Sequence, residues 1–334
     1  MDLLCPVLRR REWLMLAAGV LLLPPAEAVH QRQSVFGSPA DLLLPPQAGV
    51  AAAAAVWQGL QSMNSRWNAW KPGEVLNLNR AFAEGRALRA SPALIALIEG
   101  ARALERRSFG CFNAGIGGLV GRWGFHEDEL RPGARPKPED LRMWLQAGPS
   151  LSQIERRGNL LRSRNRSLRL DFGGYAKGVA LDWALDRLQG AGVGDGLLNL
   201  GGNLAAMGGA QGRPWRVAVR DPFGPGVLAT LETQGREAVV TSGTYERFRV
   251  LDGQAFGHVI DPRSGQASGG LVSVTVVHPS AALADAAATA LLVAGPQAWP
   301  QVAQGLGVDQ VLVVDGHGRR QATPRLAPRL RWQG

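Results

Sequence analysis

The stretch "TSGTYERFRVLDGQAFGHVIDPRSG", residues 241–265, decides the fold class. Asp252-Gly253 is a two-residue hairpin signal, because the tight turn it forms needs positive φ at its centre. Its flanks, "YERFRVL" and "AFGHVI", alternate as paired strands do. His258 is therefore expected on a strand, close to Asp261-Pro262 where the chain turns out. Thr241 and Ser242 are expected at the end of the preceding strand, beside Gly243. The chain has five histidines and two tyrosines, and one of each falls here. A histidine so placed can accept a proton or hold a phosphate, although a lone strand histidine is more often structural.

Working outward, short strand-like runs dominate. They are "PWRVAVRDP", "LATLETQ", "EAVVTSG", "LVSVTVVHP" (271–279), the buried "GLLNL" (196–200) and a terminal "QVLVVDGHG". Residues 29–47 are expected to open with one strand. Between these runs lie helical patterns. One covers 48–70 and ends near Asn64–Ser65. Another, 91–107, has Ser91 as cap, Pro92 at the first helical position and an apolar face of Leu94, Leu97, Ile98, Ala101 and Leu104. A third runs from about Tyr175 to Leu188, and the last, 280–295, is capped by Ser280. Residues 127–140 are expected as a polar, proline-rich surface excursion. Together these patterns predict an α+β fold of mixed, largely antiparallel sheets with inserted helices.

The chain has 334 residues and a net charge of +10. Its first 28 residues read as an export signal: Arg9–Arg11, the apolar "WLMLAAGVLLL" and a small-x-small site, "AEA". "RRREWL" also resembles a twin-arginine signal. Residues 29–317 read as one domain and 318–334 as a basic, solvated tail. Cys111 would be alone in the processed chain, so no internal disulfide is expected. No basic stripe with interleaved aromatics and no zinc-ligand spacing occurs, which argues against nucleic-acid binding.

Three motifs can carry chemistry. Asp285 and Thr289 lie four residues apart on a helix, which puts a carboxylate and a hydroxyl on one face. Both are hard oxygen donors of the kind magnesium or calcium takes. The rest of that helix is alanine and leucine, so the charge needs a partner. "DFGGYAKGVALDWALDRL" (171–188) sets glycines and Lys177 at a helix start, where backbone amides attract phosphate. It fits neither the P-loop nor the dinucleotide glycine spacing. Gly201-Gly202-Asn203 after a buried strand allows close backbone approach or simply a turn.

"DFGGYAKGVALD", "LLNLGGNL", "TSGTYERF", "HVIDPRSG" and "SVTVVHPSAALADAAATAL" occur in the order and spacing of the ApbE family, and the chain resembles it over about residues 32–316. "SMNSRWN", "LNLN" and "FNAGIGGLVGRWGF" are similar to its amino-terminal half. The resemblance implies an α+β protein around a deep FAD cleft. It also implies magnesium-dependent transfer of FMN from FAD to a threonine hydroxyl of an acceptor protein, with release of AMP. Asp285, Thr289 and the carbonyl of Gly174 match the metal ligands. Lys177 matches the lysine at the flavin nucleotide. His258 matches the histidine given a base or positioning role. Phe36, Ser65, Arg66, Trp67 and Asn113 fall on positions that line the FAD site. The implied setting is the periplasm, with an acceptor flavoprotein subunit as partner and the outer face of the inner membrane as a contact.

The chain departs from the family pattern at Phe36-Gly37-Ser38, where Met-Gly-Thr is usual, at Asn113, where aspartate is usual, and at Thr244. Two alternatives stand beside this: a magnesium-dependent FAD pyrophosphatase giving FMN and AMP, which uses the same residues, and a periplasmic flavin-binding protein without turnover, which the changes at Phe36 and Asn113 would suit.

Overall fold

The computed structural model describes residues 29–46, 50–210 and 212–333, and the backbone of 14–15 and 20–22. Its centre is an eight-stranded sheet. In spatial order the strands are Arg320–Ala322, Val311–Asp315, Leu271–His278, Glu237–Gly243, Asn203–Met207, Gly196–Leu200, Ser38–Leu44 and Val29–Val35. Every neighbouring pair is antiparallel.

The runs of consecutive apolar residues in these strands follow from burial on both faces. Leu42, Leu44, Leu198 and Val240 face the helices, while Leu43, Leu197, Leu204 and Val239 face a second, smaller sheet. That second sheet contains Arg216–Arg220, Val227–Glu232 and Arg331–Trp332. Val20–Leu22 pairs along the outer edge of Arg216–Arg220. Leu14–Met15 pairs in turn with Val20–Leu22, and the other residues of the expected export signal lie outside the described residues.

The helices are α1 (Val50–Trp67), α2 (Glu74–Ala83), α3 (Pro92–Arg107), α4 (Gly117–Arg122), α5 (Pro138–Ala147), α6 (Ala176–Gly190) and α7 (Ala281–Leu306). α3 starts as its sequence dictates, with Ser91 Oγ accepting from Leu94 N at 3.2 Å and proline following the cap. α7 is capped by Ser280 and breaks at Gly295, whose φ of 76° and following Pro296 end the alanine-rich half. That half is buried from Ala284 to Leu292 except at Thr289. α7 packs on the central sheet and on α6.

Four expectations need correction. The region 29–47 is two strands, turned at Phe36-Gly37, where both residues have positive φ. Residues 138–147, at the end of the expected excursion, form α5, entered through Pro138 and closed by Gly148 in the left-handed region. His258 lies one residue beyond the strand Gln254–Gly257, in a bend held by Arg247. The basic end is no solvated tail, since Arg320–Ala322 and Arg331–Trp332 extend the two sheets. Its arginines meet acids: Arg329 binds Glu237 at 2.6 Å, Arg325 binds Asp309 at 2.8 Å and Arg319 binds Asp315 at 2.6 Å.

Candidate active site

The site forms where α6 and α7 cross beneath the end of the strand Glu237–Gly243. Small residues allow the crossing. A Cβ at Gly178 would overlap the Ala281 carbonyl, so only glycine lets α6 approach the start of α7 this closely. Gly174 is equally constrained: a Cβ there would lie 2.8 Å from Thr289 Oγ1. The Asp171–Gly174 turn is thus pressed against Thr289. It is held by Asp171 Oδ1, which accepts from Gly173 N at 2.9 Å, and by Asn79, which bonds both backbone groups of Leu170.

One turn before Thr289 on α7, Asp285 is 3% exposed. Its Oδ2 accepts from Gly178 N at 2.9 Å and its Oδ1 from Asn203 Nδ2 at 2.8 Å. Burial raises the Asp285 pKa, while the Lys177 charge and those two hydrogen bonds pull it back down. Each carboxylate oxygen therefore keeps a free lone pair in a place where an uncompensated charge is costly. Ser242 Oγ stands 3.4 Å from Thr289 Oγ1. Asn203 comes from the glycine-glycine-asparagine turn, so that turn does belong to the site.

His258 borders the same group. Its backbone N donates to Arg247 O at 3.0 Å, and its Nδ1 lies 3.1 Å from that same carbonyl. A carbonyl only accepts, so Nδ1 carries the hydrogen and Nε2 keeps a free lone pair. Burial first, and the Lys177 charge second, push the imidazole pKa down to about 4. His258 is thus a neutral base throughout the neutral pH range.

The cation expected from the sequence fits the donor set. Asp285 supplies a buried carboxylate, Thr289 a hydroxyl, and Gly174 a backbone held against that hydroxyl. These are hard oxygen donors. No group of three histidine, cysteine, aspartate or glutamate side chains that could hold a metal occurs among the described residues. A site here would accordingly rely on one carboxylate, neutral oxygens and the ligand's own anionic oxygens.

The remaining expected residues divide. Phe36 and the end of α1 come together, because Phe36 N donates to Asn64 Oδ1 at 3.0 Å. Phe36 does so with a φ of 54°, unusual for a bulky residue. Trp67 is buried with an indole N–H that has no partner. Ser65 and Arg66 bond locally: Ser65 Oγ donates to Ser62 O at 3.0 Å and Arg66 pairs with Glu74 at 2.9 Å. Asn113 closes its own turn, accepting from Gly115 N at 2.6 Å and donating to Pro149 O at 2.9 Å. None of these contacts joins Ser65, Arg66 or Asn113 to the group around Lys177.

Two residues were missed in the sequence. Trp70 is an exposed indole whose Nε1 donates to Asp171 Oδ2 at 2.9 Å, and its ring lies 4.9 Å from that of His126. It is an aromatic surface anchored to the Gly174 turn. Glu246 is the second: its Oε1 is enclosed without a hydrogen-bond partner. Burial pushes its pKa up to about 7 against the pull of Lys177 and Arg220. Only the tryptophan's place just before Lys71-Pro72-Gly73 and the glutamate's place between Tyr245 and Arg247 could have drawn attention to them.

The family model described as "ApbE family" matches residues 35–312. The chain belongs to the ApbE family. An FAD:protein FMN transferase of Rhodobacter capsulatus is 40% identical over 95% of this chain. The chain spans 61% of that relative's length. A protein of the same name from Vibrio cholerae is 28% identical over 91% of this chain and 94% of its own. Among solved structures, an ApbE protein of Thermotoga maritima superposes with a TM-score of 0.84 at 25% identity, covering 91% of this chain and 99% of the other. The flavin transferase ApbE of Vibrio cholerae gives 0.78 at 26% identity, with 91% and 99% covered. The ApbE fold of these proteins is therefore the mixed, largely antiparallel architecture described above.

Proposed function

We propose that this ApbE protein transfers FMN from FAD to a threonine hydroxyl of an acceptor protein and releases AMP, and that it does so in the periplasm. The observation that carries this reading is the meeting of Asp285, Thr289, the Gly174 turn, Lys177 and His258 at the α6–α7 crossing. The relatives' activity and the signal-like pattern of the first 28 residues support it.

Phosphoryl-group transfer between oxygens asks for charge neutralisation, a fixed orientation and a proton acceptor. Lys177, at the start of α6, sets a full positive charge beside the helix's own N-terminal amides, and an anionic diphosphate is attracted to both. His258 Nε2 takes the proton of the acceptor hydroxyl as that oxygen bonds to the FMN phosphorus. The bond from that phosphorus to the bridging oxygen breaks, and AMP departs with the electron pair. Magnesium, held by Asp285, Thr289 and the Gly174 carbonyl, would neutralise negative charge on the diphosphate oxygens. Trp70 offers a flat surface for a ring system next to the Gly174 turn.

The test is to incubate the protein with FAD, magnesium and an acceptor subunit carrying the target threonine. A covalent flavin adduct, read as in-gel fluorescence and a mass increase of one FMN, is the expected result. Free FMN and AMP formed equally well without acceptor would replace this reading with the pyrophosphatase. Tight FAD binding with neither product would leave a flavin-binding protein.

A further inference from the structure

The charge of this chain is not spread evenly. Residues 154–169, "IERRGNLLRSRNRSLR", hold six arginines and one glutamate, a net +5 and half of the whole chain's +10. The arginine-rich C-terminal end is different, because its side chains are spent on Glu237, Asp309, Asp315 and Glu232. In the 154–169 segment only Arg164 approaches a carboxylate, that of Glu155 at 3.7 Å, among the described residues.

The strands of this segment form a small sheet, with Leu160–Ser163 between Leu88–Arg89 and Ile154–Arg157. Register puts Arg89 and Arg157 on either side of Leu160. Because side chains alternate between faces, Arg162 shares the face of this row. Arg89, Arg157 and Arg162 are exposed, and Leu160, an apolar side chain, is 38% exposed between them. On the other face, beside α3, a hollow of about 390 Å³ is lined by Pro92, Ile95 and Ala96 together with Glu99, Arg156 and Asn159. Glu155, opposite Arg162, is the one acid in this row, so three arginines against one glutamate surround an apolar projection, which matches the interface of an anionic bilayer, where phosphate headgroups lie over hydrocarbon.

We propose that this three-stranded sheet docks the protein on a membrane surface containing anionic lipid. Arg89, Arg157 and Arg162 contact headgroup phosphates and Leu160 enters the headgroup–acyl boundary. The inference goes beyond flavin transfer and stands whether or not that reading does. It has a bearing on it, however, because the same segment runs directly into the Asp171–Gly174 turn. Docking here would set the orientation of the active site relative to the bilayer.

Sedimentation of the full chain with vesicles of phosphatidylcholine, with and without phosphatidylglycerol, tests this. Binding is expected only to the anionic vesicles and should weaken with added salt. The triple variant Arg89→Glu, Arg157→Glu, Arg162→Glu should lose affinity on the order of a hundredfold or more. The control pair Arg325→Glu, Arg331→Glu, at arginines already paired with acids, should bind as the wild type does. Circular dichroism checks that each variant is folded, and Leu160→Ser gives a second, gentler loss. Equal binding to both vesicle types would overturn the proposal. So would no binding to anionic vesicles, equal losses in the triple variant and the control pair, or capture of the acidic surface of an acceptor protein in place of vesicles.

Discussion

Asp182 on α6 and Asp285 on α7 are built as mirror partners. Each reaches from its own helix into the first turn of the other. Asp182 accepts from Ser280 Oγ at 2.8 Å, Ala281 N at 2.8 Å and Ala282 N at 3.0 Å. Asp285 accepts from Gly178 N at 2.9 Å and from Asn203 Nδ2 at 2.8 Å. Both carboxylates thus complement a helix N-terminus, where unpaired amides and the dipole favour negative charge. The difference lies in surroundings and spare capacity. Asp182 is only part-buried and spends three bonds on tying α7 in place. Asp285 is enclosed, has one donor on each oxygen, feels the Lys177 charge and lies one turn before Thr289, which is pressed against Gly174. The same contact is a fastening in one case and the seat of chemistry in the other.

Asp285→Asn gives the largest expected effect. It keeps the shape and removes the charge, so FMN transfer should fall on the order of a thousandfold while the protein stays folded by circular dichroism. A variant with near wild-type transfer would show that Asp285 is as structural as Asp182. Gly178→Ala should disturb both members of the pair at once. The added methyl has no room against the Ala281 carbonyl, so the helices must separate, at a cost of about 2–3 kcal/mol. Chemical denaturation measures that loss, and transfer should drop with it. A neutral result would mean that the crossing yields without consequence.

Asp182→Ala should behave as the structural member. It removes three hydrogen bonds from the start of α7, though the Ser280 cap at Leu283 N remains. Loss of about 2 kcal/mol of stability is expected. Transfer below the unfolding midpoint should change by less than about threefold, since no reacting group is touched. A large fall in transfer with unchanged stability would reverse the roles assigned to the two aspartates.

One member of this pair, Asp285, could be read from the chain alone. The four-residue spacing of Asp285 and Thr289, in a helix otherwise made of small apolar residues, exposed an ionic group in need of a partner. Ser280 announced the cap and Asp252-Gly253 the hairpin, because those signals act within a few residues. What stayed hidden depends on distant segments. Asp182 looked like any helical acid until α7, about a hundred residues later, was laid across it. Arg329 looked solvated because Glu237, its partner, is equally far away in sequence. The Phe36-Gly37 turn escaped because a bulky aromatic at positive φ runs against local preference. Trp70 and Glu246 carry no local spacing that marks them.

The smallest expected effect probes the electrostatic centre between the two helices. Lys177 lowers the pKa of both His258 and Asp285, against the larger effect of burial at Asp285, so its removal should raise both. In Lys177→Met the imidazole pKa should rise above its present value of about 4. It should remain below the ordinary histidine value, because burial is the larger cause and is unchanged. Histidine ring resonances followed by NMR against pH measure this in the metal-free protein, independently of any transfer activity. The sign has a consequence for stability as well. Between the folded pKa and the unfolded value near 6.5 the unfolded chain binds more protons at His258, so this residue makes stability rise with pH across that window. Raising its folded pKa narrows the window and flattens the rise. A titration unchanged by the substitution would mean that Lys177 points away from His258, and burial alone would then account for its neutral base.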